Sequence, residues 1–136
     1  MRFEVTAIGR VESSLTDLES APRQADEGAP PAWLVFSADM LPGLADLRPG
    51  DEVIVVTWLH LARRDVLGVH PRGDTSRSVE GVFSTRSPHR PNPIGLHRVQ
   101  ITAIEGARLR VASLEALHGT PIIDLKPVLD EDVGLR

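Results

Sequence analysis

Three prolines stand within six residues, between positions 88 and 93, and interrupt a region otherwise patterned like β-strands. A proline nitrogen carries no hydrogen, and its ring fixes its own φ angle and favours an extended conformation in the preceding residue. The segment therefore cannot be an interior strand, and it loses little conformational entropy when it orders around a ligand. We predict a rigid loop over an edge or mouth of the sheet, with polar side chains facing a ligand. These are Arg86, His89, Arg90 and Asn92.

The proline segment lies in a basic third of an acidic chain. From His60 to Arg98 there are seven arginines and three acids, a net charge of +4, whereas the rest of the chain carries −8. Fourteen of the fifteen basic residues are arginine, and Lys126 is the single lysine. Codon bias in the source genome would produce this excess, and so would bidentate recognition of carboxylate or phosphate by guanidinium groups.

The composition is that of a globular cytoplasmic protein. A chain of 136 residues with 41% hydrophobic content is long enough for one domain with a core. The absence of cysteine excludes disulfides, zinc–thiolate sites and thiol nucleophiles. The five histidines lack the spacing of metal ligands, so we predict no metal. The N-terminus has no apolar signal region and no run is long enough to span a membrane.

Alternating and β-branched runs predict a mostly β fold. The expected strands are residues 2–11, 33–36, 53–59, 79–85, a pair around a turn at 105–106, and 122–125. A turn is expected at 49–51, a long polar loop at 12–31, and a short helical turn at 37–47 with Ser37 or Asp39 as its N-cap. There is no G-x-G-x-x-G motif. We predict a small, single-domain, non-Rossmann β-barrel over residues 1–136, with short helical segments and no further C-terminal domain.

Four stretches together resemble the TsaA-like, or TrmO, family. "GVFSTRSPHRPNPIGL" at 81–96 is similar to its long first signature, and "HGTPIIDLKP" at 118–127 to its second. "APRQ" at 21–24 and "TWLHL" at 57–61 resemble two shorter family motifs. The matches run in order along nearly the whole chain.

The resemblance implies a small β-barrel, usually a homodimer, that binds S-adenosylmethionine and methylates N6 of a threonylcarbamoyl-modified adenosine beside the anticodon of tRNA. The cofactor contacts it implies are Pro22, Arg23, Gln24, His60, Leu61, Arg86, Leu96, Glu115, Ala116, Leu117, His118, Gly119 and Thr120. From the residues themselves, we predict that Arg90, Asn92, Asp124 and Lys126 serve substrate binding or catalysis.

Three positions depart from the family pattern. His118 stands where the family usually has aspartate, Glu115 replaces an upstream aspartate, and Val128 replaces a tyrosine. A carboxylate commonly binds a ribose diol, so Glu115 is expected to supply that contact if His118 does not.

Other side chains are less sharply assigned. The candidates for a general base are His60, Asp124 and His89, whereas His70 and His97 are expected at the surface. Trp33 is the best candidate for stacking on an unpaired RNA base. Two alternatives to a tRNA enzyme stay open. The same cofactor could serve a small-molecule acceptor, or the proline segment could be the docking loop of a non-catalytic module.

Overall fold

The computed structural model describes residues 1–17, 28–70 and 73–129. They form eight β-strands and two 3₁₀ helices. The strands are β1 (Gly9–Glu12), β2 (Ala32–Phe36), β3 (Glu52–Trp58), β4 (Gly68–Val69), β5 (Glu80–Gly81), β6 (Ile94–Glu105), β7 (Arg108–Val111) and β8 (Pro121–Pro127). The 3₁₀ helices are Ala38–Leu44 and Val82–Ser84. The prediction of a mostly β fold with short helical segments is confirmed.

Six strands form one antiparallel sheet that closes on itself. The order is β1-β2-β7-β6-β3-β8, and β1 pairs with β8 as well as with β2, which makes a closed barrel. Strands β4 and β5 form a separate two-stranded sheet. The longest ladder joins β3 to β6 from Glu52↔Gln100 to Trp58↔Ile94.

Alternation along the strands sets the interior of the sheet. In β6, Gly95, His97, Val99 and Ile101 are buried, whereas the residues between them are exposed. Each pleat points successive side chains to opposite faces, so one set faces inward. The largest fully buried apolar side chains are Leu34, Ile101, Leu109, Leu114 and Ile122.

The sheet has two distinct ends. At one of them, called here the loop end, β1, β3 and β7 finish and β2, β6 and β8 begin. At the other, the helix end, β2 runs into the 3₁₀ helix Ala38–Leu44 and β3 begins after a turn in which Gly50 has a φ of 99°. The proline-rich segment and the segment 112–120 therefore lie at the loop end.

Two predicted strands are wrong in extent. The predicted strand 2–11 begins only at residue 9, since β1 is Gly9–Glu12. Phe3 and Val5 are exposed because residues 1–7 pair with no strand in the described part of the chain. Of the predicted strand 79–85, only Glu80–Gly81 pairs, and the chain then turns into the 3₁₀ helix Val82–Ser84. Alternation alone does not make a strand, because a strand also needs a partner to pair with.

Other sequence predictions are confirmed. The paired strands at 94–105 and 108–111 flank a turn at Gly106, whose φ is 58°. The helical turn begins after Ser37 as expected, although the Ser37 side chain makes no capping hydrogen bond.

Candidate functional site

Arg90 holds the proline loop, residues 85–93, together from within. Its guanidinium donates to the carbonyl oxygens of Thr85 at 3.0 Å, Ser87 at 2.9 Å and Val82 at 3.3 Å. The Arg90 backbone N–H donates to the Arg63 carbonyl at 3.0 Å. The sequence suggested Arg90 as a substrate or catalytic residue, but the structure uses its guanidinium inside the loop.

Arg64 fastens the same loop to the sheet. Its Nε donates to the Pro91 carbonyl at 2.7 Å and its Nη2 to Asn92 Oδ1 at 2.9 Å, while the guanidinium carbon lies 5.1 Å from the centre of the Trp58 ring. The stacked cation and the two hydrogen bonds fix one geometry. Asn92, predicted to contact substrate, thus has its carbonyl oxygen occupied by Arg64.

His89 is tied down by the neighbouring strand connection. Its Nδ1 accepts the Arg63 backbone N–H at 2.9 Å, so that nitrogen is not free to act as a base. The Arg63 side chain pairs with Asp65 at 2.9 Å, and this hydrogen bond lowers the pKa of the Asp65 carboxyl below its ordinary value. Both side chains are exposed, so the pair contributes little to stability.

Arg86 differs from the other loop arginines. It is exposed, and within the described residues its side chain has no hydrogen bond or ion pair. Arg90 and Arg64 immobilise the loop that carries it. Arg86 is therefore a guanidinium presented to solvent from a preorganised backbone, which suits the binding of a carboxylate or phosphate.

The segment 112–120 covers the loop end of the sheet. His118 joins it to the chain after β1, because its N–H donates to the Leu15 carbonyl at 2.7 Å and its Nδ1 accepts the Ser13 N–H at 3.2 Å. Gly119, with a φ of 85°, turns the backbone so that its N–H reaches the Val11 carbonyl at 2.8 Å. The buried side chains of the segment are Leu114, Ala116, Leu117 and Thr120.

The His118 ring cannot replace a carboxylate. Because Nδ1 accepts a backbone hydrogen, the neutral ring carries its proton on Nε2 and offers a donor there. A ribose diol donates two hydrogens and needs acceptors. His118 and Glu115 are the two positions of this segment that differ from the family pattern. Only the Glu115 side chain has carboxylate oxygens that can accept hydrogen bonds from the diol.

Glu115 is held by a buried histidine that the sequence analysis placed wrongly at the surface. The His97 side chain is 6% exposed, its Nδ1 is hydrogen-bonded to Glu115 Oε1, and its Nε2 lies 2.7 Å from Thr57 Oγ1. His97 shares the inward phase of Val99 and Ile101 in β6. That phase was the signal in the sequence that could have placed it.

Gly95 makes room for this contact. It pairs with Thr57 across β3 and β6, and a Cβ at position 95 would lie 2.6 Å from Thr57 Oγ1 and 2.7 Å from His97 Nε2. The need for glycine here comes from space between the side chains.

The apolar side chains expected to flank a cofactor are exposed. Leu61 follows β3 and is 55% exposed, and Leu96 is 51% exposed on the outward face of β6. His60 is also exposed, and its ring has no hydrogen-bond partner within the described residues.

Asp124 and Lys126 lie apart from these residues. They pair with each other at 3.2 Å on β8, with side chains about half exposed, and they line a cavity of about 460 Å³ toward the helix end. Met40, Leu44 and Leu47 line the same cavity. The structure therefore does not bring Asp124 and Lys126 together with the loop-end residues that the sequence assigned to the same site.

Three residues predicted to contact the cofactor, Pro22, Arg23 and Gln24, lie outside the described residues. Among the residues that are described, no three histidines or carboxylates are grouped to hold a metal ion, and no helix is long and apolar enough to cross a membrane. The Trp33 ring, on β2, is already covered by the Arg108 guanidinium at 4.9 Å.

Comparison with known proteins identifies the relatives of this chain. Residues 10–132 match the family described as the tRNA-methyltransferase O N-terminal domain. A protein of Methanothermobacter thermautotrophicus described as a probable S-adenosyl-L-methionine-binding protein is 38% identical over 131 residues, covering 96% of this chain and 93% of that protein. An Archaeoglobus fulgidus S-adenosyl-L-methionine-binding protein is 41% identical over 119 residues, covering 88% of this chain and 84% of that protein.

Solved structures share the fold. The crystal structure of TrmO from Pseudomonas aeruginosa superposes with a TM-score of 0.76 at 27% identity, covering 98% of this chain and 61% of that one. A second TrmO crystal structure gives 0.76 at 29% identity, covering 99% of this chain and 64% of the other. The chain thus spans less than two thirds of the length of these TrmO chains. From the match over residues 10–132, the chain belongs to the family of the tRNA-methyltransferase O N-terminal domain.

Proposed function

We propose that this protein is an S-adenosylmethionine-dependent methyltransferase that acts in the cytoplasm on N6 of a threonylcarbamoyl-modified adenosine in tRNA. The observation that carries the proposal is the family match over residues 10–132, which contains the whole proline loop and the segment 112–120. Relatives described as S-adenosyl-L-methionine-binding proteins support the choice of cofactor.

The side chains at the loop end fit the chemical groups of this cofactor. Arg86 offers a free guanidinium for the carboxylate of the methionine part. Glu115 offers acceptor oxygens for the ribose hydroxyls, and its side chain is 17% exposed. The exposed Leu61 and Leu96 offer apolar surface for the adenine ring.

When bound, S-adenosylmethionine supplies a methyl group already attached to a good leaving group, so the protein's contribution is alignment rather than activation. Intramolecular alignment lowers reaction barriers by as much as about 7–11 kcal/mol. The rigid proline loop suits this task because Arg90 and Arg64 hold it through five hydrogen bonds, four to backbone carbonyls and one to the Asn92 side chain.

The adenosine nitrogen that receives the methyl group must lose its hydrogen. Of the three candidate bases, His89 has its Nδ1 occupied and Asp124 lies toward the helix end. We assign the role to His60, whose exposed ring at the loop end has no partner within the described residues.

The proposal predicts a specific product. Purified protein incubated with isotope-labelled S-adenosylmethionine and total tRNA should yield N6-methylated threonylcarbamoyladenosine, identified by mass spectrometry of the digested nucleosides. The matched control is tRNA from cells that lack the threonylcarbamoyl modification, which should remain unlabelled. A protein that binds the cofactor but labels no nucleoside would contradict the tRNA acceptor, and one that binds no cofactor would contradict the whole proposal.

We propose further that the protein is a homodimer. Four large apolar side chains near the loop end and the outward face of β6 are 44% to 75% exposed, and a second copy packed over them would remove this apolar surface from water. They are Leu61, Phe83, Ile94 and Leu96. Light scattering during gel filtration should give twice the chain mass of 14.8 kDa, and a mass of one chain at micromolar concentration would refute the dimer.

A further inference from the structure

Thr57, His97 and Glu115 form a hydrogen-bonded chain from the interior of the sheet to the loop end. The His97 ring bonds Thr57 Oγ1 at Nε2 and Glu115 Oε1 at Nδ1. Since an ionised carboxylate only accepts hydrogen bonds, Nδ1 carries a hydrogen and donates to Glu115. In the neutral ring, the Thr57 hydroxyl then donates to Nε2, and both ring nitrogens have a partner.

This order of hydroxyl, imidazole and carboxylate is also that of hydrolase triads, but it cannot work as one here. Thr57 is fully buried, with 0% exposure, so no substrate can reach its oxygen. Exposure rises along the chain, from 0% at Thr57 through 6% at His97 to 17% at Glu115. Of the three hydrogen-bonded residues, Glu115 is therefore the one that can contact a ligand, because its side chain reaches solvent.

Glu115 depends on His97 for its orientation. Within the described residues, the Glu115 carboxylate has His97 as its hydrogen-bond partner and no other, which leaves Oε2 available. His97 itself is fixed on a strand, and the Nε2 edge of its ring lies against both Thr57 Oγ1 and the backbone of Gly95. A flexible acidic side chain is thus held in one rotamer by a rigid support.

We infer that His97 is the positioning residue for Glu115, and that it makes the Glu115 carboxylate a preorganised acceptor for the ribose hydroxyls of the bound nucleoside. The inference rests on the proposed function, because it takes S-adenosylmethionine as the ligand. The energetic reason is general: a carboxylate already ordered in the free protein loses less side-chain entropy on binding. Partners that orient a ligand-binding group commonly affect affinity without touching the ligand.

Two substitutions at one position separate positioning from stability. The amide nitrogen of asparagine occupies nearly the place of imidazole Nδ1, so His97→Asn keeps a donor for Glu115 and loses the Thr57 contact. Glutamine places its nitrogen near Nε2, so His97→Gln keeps the Thr57 contact and loses the donor to Glu115. Each variant removes one of two hydrogen bonds at the same buried site, and thermal unfolding should show comparable destabilisation.

Calorimetry with S-adenosylhomocysteine, the demethylated cofactor, is the test. We expect His97→Gln to weaken binding about tenfold and His97→Asn to stay within about threefold of wild type. In a Glu115→Ala background, which has no acceptor for His97 Nδ1, His97→Gln should cause no further loss, because the interaction it removes is already gone. An analogue lacking the ribose hydroxyls should bind His97→Gln and wild type alike.

The outcomes distinguish this inference from the proposed function. If wild type binds S-adenosylhomocysteine but the two variants lose affinity equally, or if the loss persists in the Glu115→Ala background, His97 has only a structural role and the inference is wrong. If wild type binds no S-adenosylhomocysteine, the proposed function fails first.

A measurement on the wild-type protein covers the case in which a variant does not fold. With ¹⁵N-labelled histidine, the His97 ring resonances should move when S-adenosylhomocysteine saturates the protein. Unchanged His97 resonances at saturation would overturn the inference.

Discussion

The Arg90→Ala variant is expected to lose about 2–3 kcal/mol of unfolding free energy while Arg86→Ala stays within about 0.5 kcal/mol of wild type. Both residues lie in the proline segment, but only Arg90 has its guanidinium on three backbone carbonyls, those of Thr85, Ser87 and Val82. Hydrogen bonds from a charged group are the stronger kind, and within the described residues the Thr85 and Ser87 carbonyls have no other donor, whereas Val82 also accepts from Thr85.

Urea denaturation measures this difference. The midpoint for Arg90→Ala should fall with an unchanged slope, since the fold is the same and only its stability differs. Arg90→Lys should recover little, because one ammonium group cannot reproduce the planar fork of donors. If Arg90→Ala were as stable as wild type and lost only ligand affinity, Arg90 would be the substrate contact that the sequence suggested.

The Arg86→Ala variant is expected to bind S-adenosylhomocysteine about 10- to 100-fold more weakly, with a matching loss of methyl transfer at low cofactor concentration. The side chain is exposed and has no partner within the described residues, so its removal subtracts a ligand contact and little else. Calorimetry on the folded variant measures the affinity directly.

Arg77→Ala is the matched control for Arg86→Ala. Arg77 is another exposed arginine in the basic third of the chain, so both variants lower the net charge equally. The control should bind S-adenosylhomocysteine as wild type does. Equal losses in both variants would mean that Arg86 acts through the general field of the protein rather than by direct contact.

The sheet was largely predictable because its strands are long or strongly patterned. The buried run in β3 and the alternation in β6 and β7 are local signals, and the structure has strands there. The segment 82–85 was not predictable as a 3₁₀ turn. Its carbonyls at Val82 and Thr85 are bonded by Arg90, whose partners depend on how the loop folds back.

The motifs suggested which residues form the candidate site, but not which of them hold the proline loop in place and which face solvent. The sequence does not distinguish the roles of the three arginines and the histidine in or beside the proline loop. In the structure, Arg64 and Arg90 donate to backbone or amide oxygens, whereas Arg86 faces solvent. His97 is buried because it lies among the inward-facing residues of β6. Its hydrogen bond to Glu115 joins residues 18 positions apart, which the local sequence pattern does not reveal. Side-chain pairing of this kind is decided by tertiary structure.

The stacking of Arg64 on Trp58 has a practical consequence for following ligand capture in time. Arg64 also donates hydrogen bonds to Pro91 and Asn92, so a change in the position of the proline loop would move this cation relative to the Trp58 indole. Indole emission responds to nearby charge, and the chain has only one other tryptophan, Trp33, under Arg108. Trp58 is thus a built-in optical reporter beside the loop, and a Trp33→Phe protein mixed rapidly with ligand would show the rate of ligand binding without any added dye.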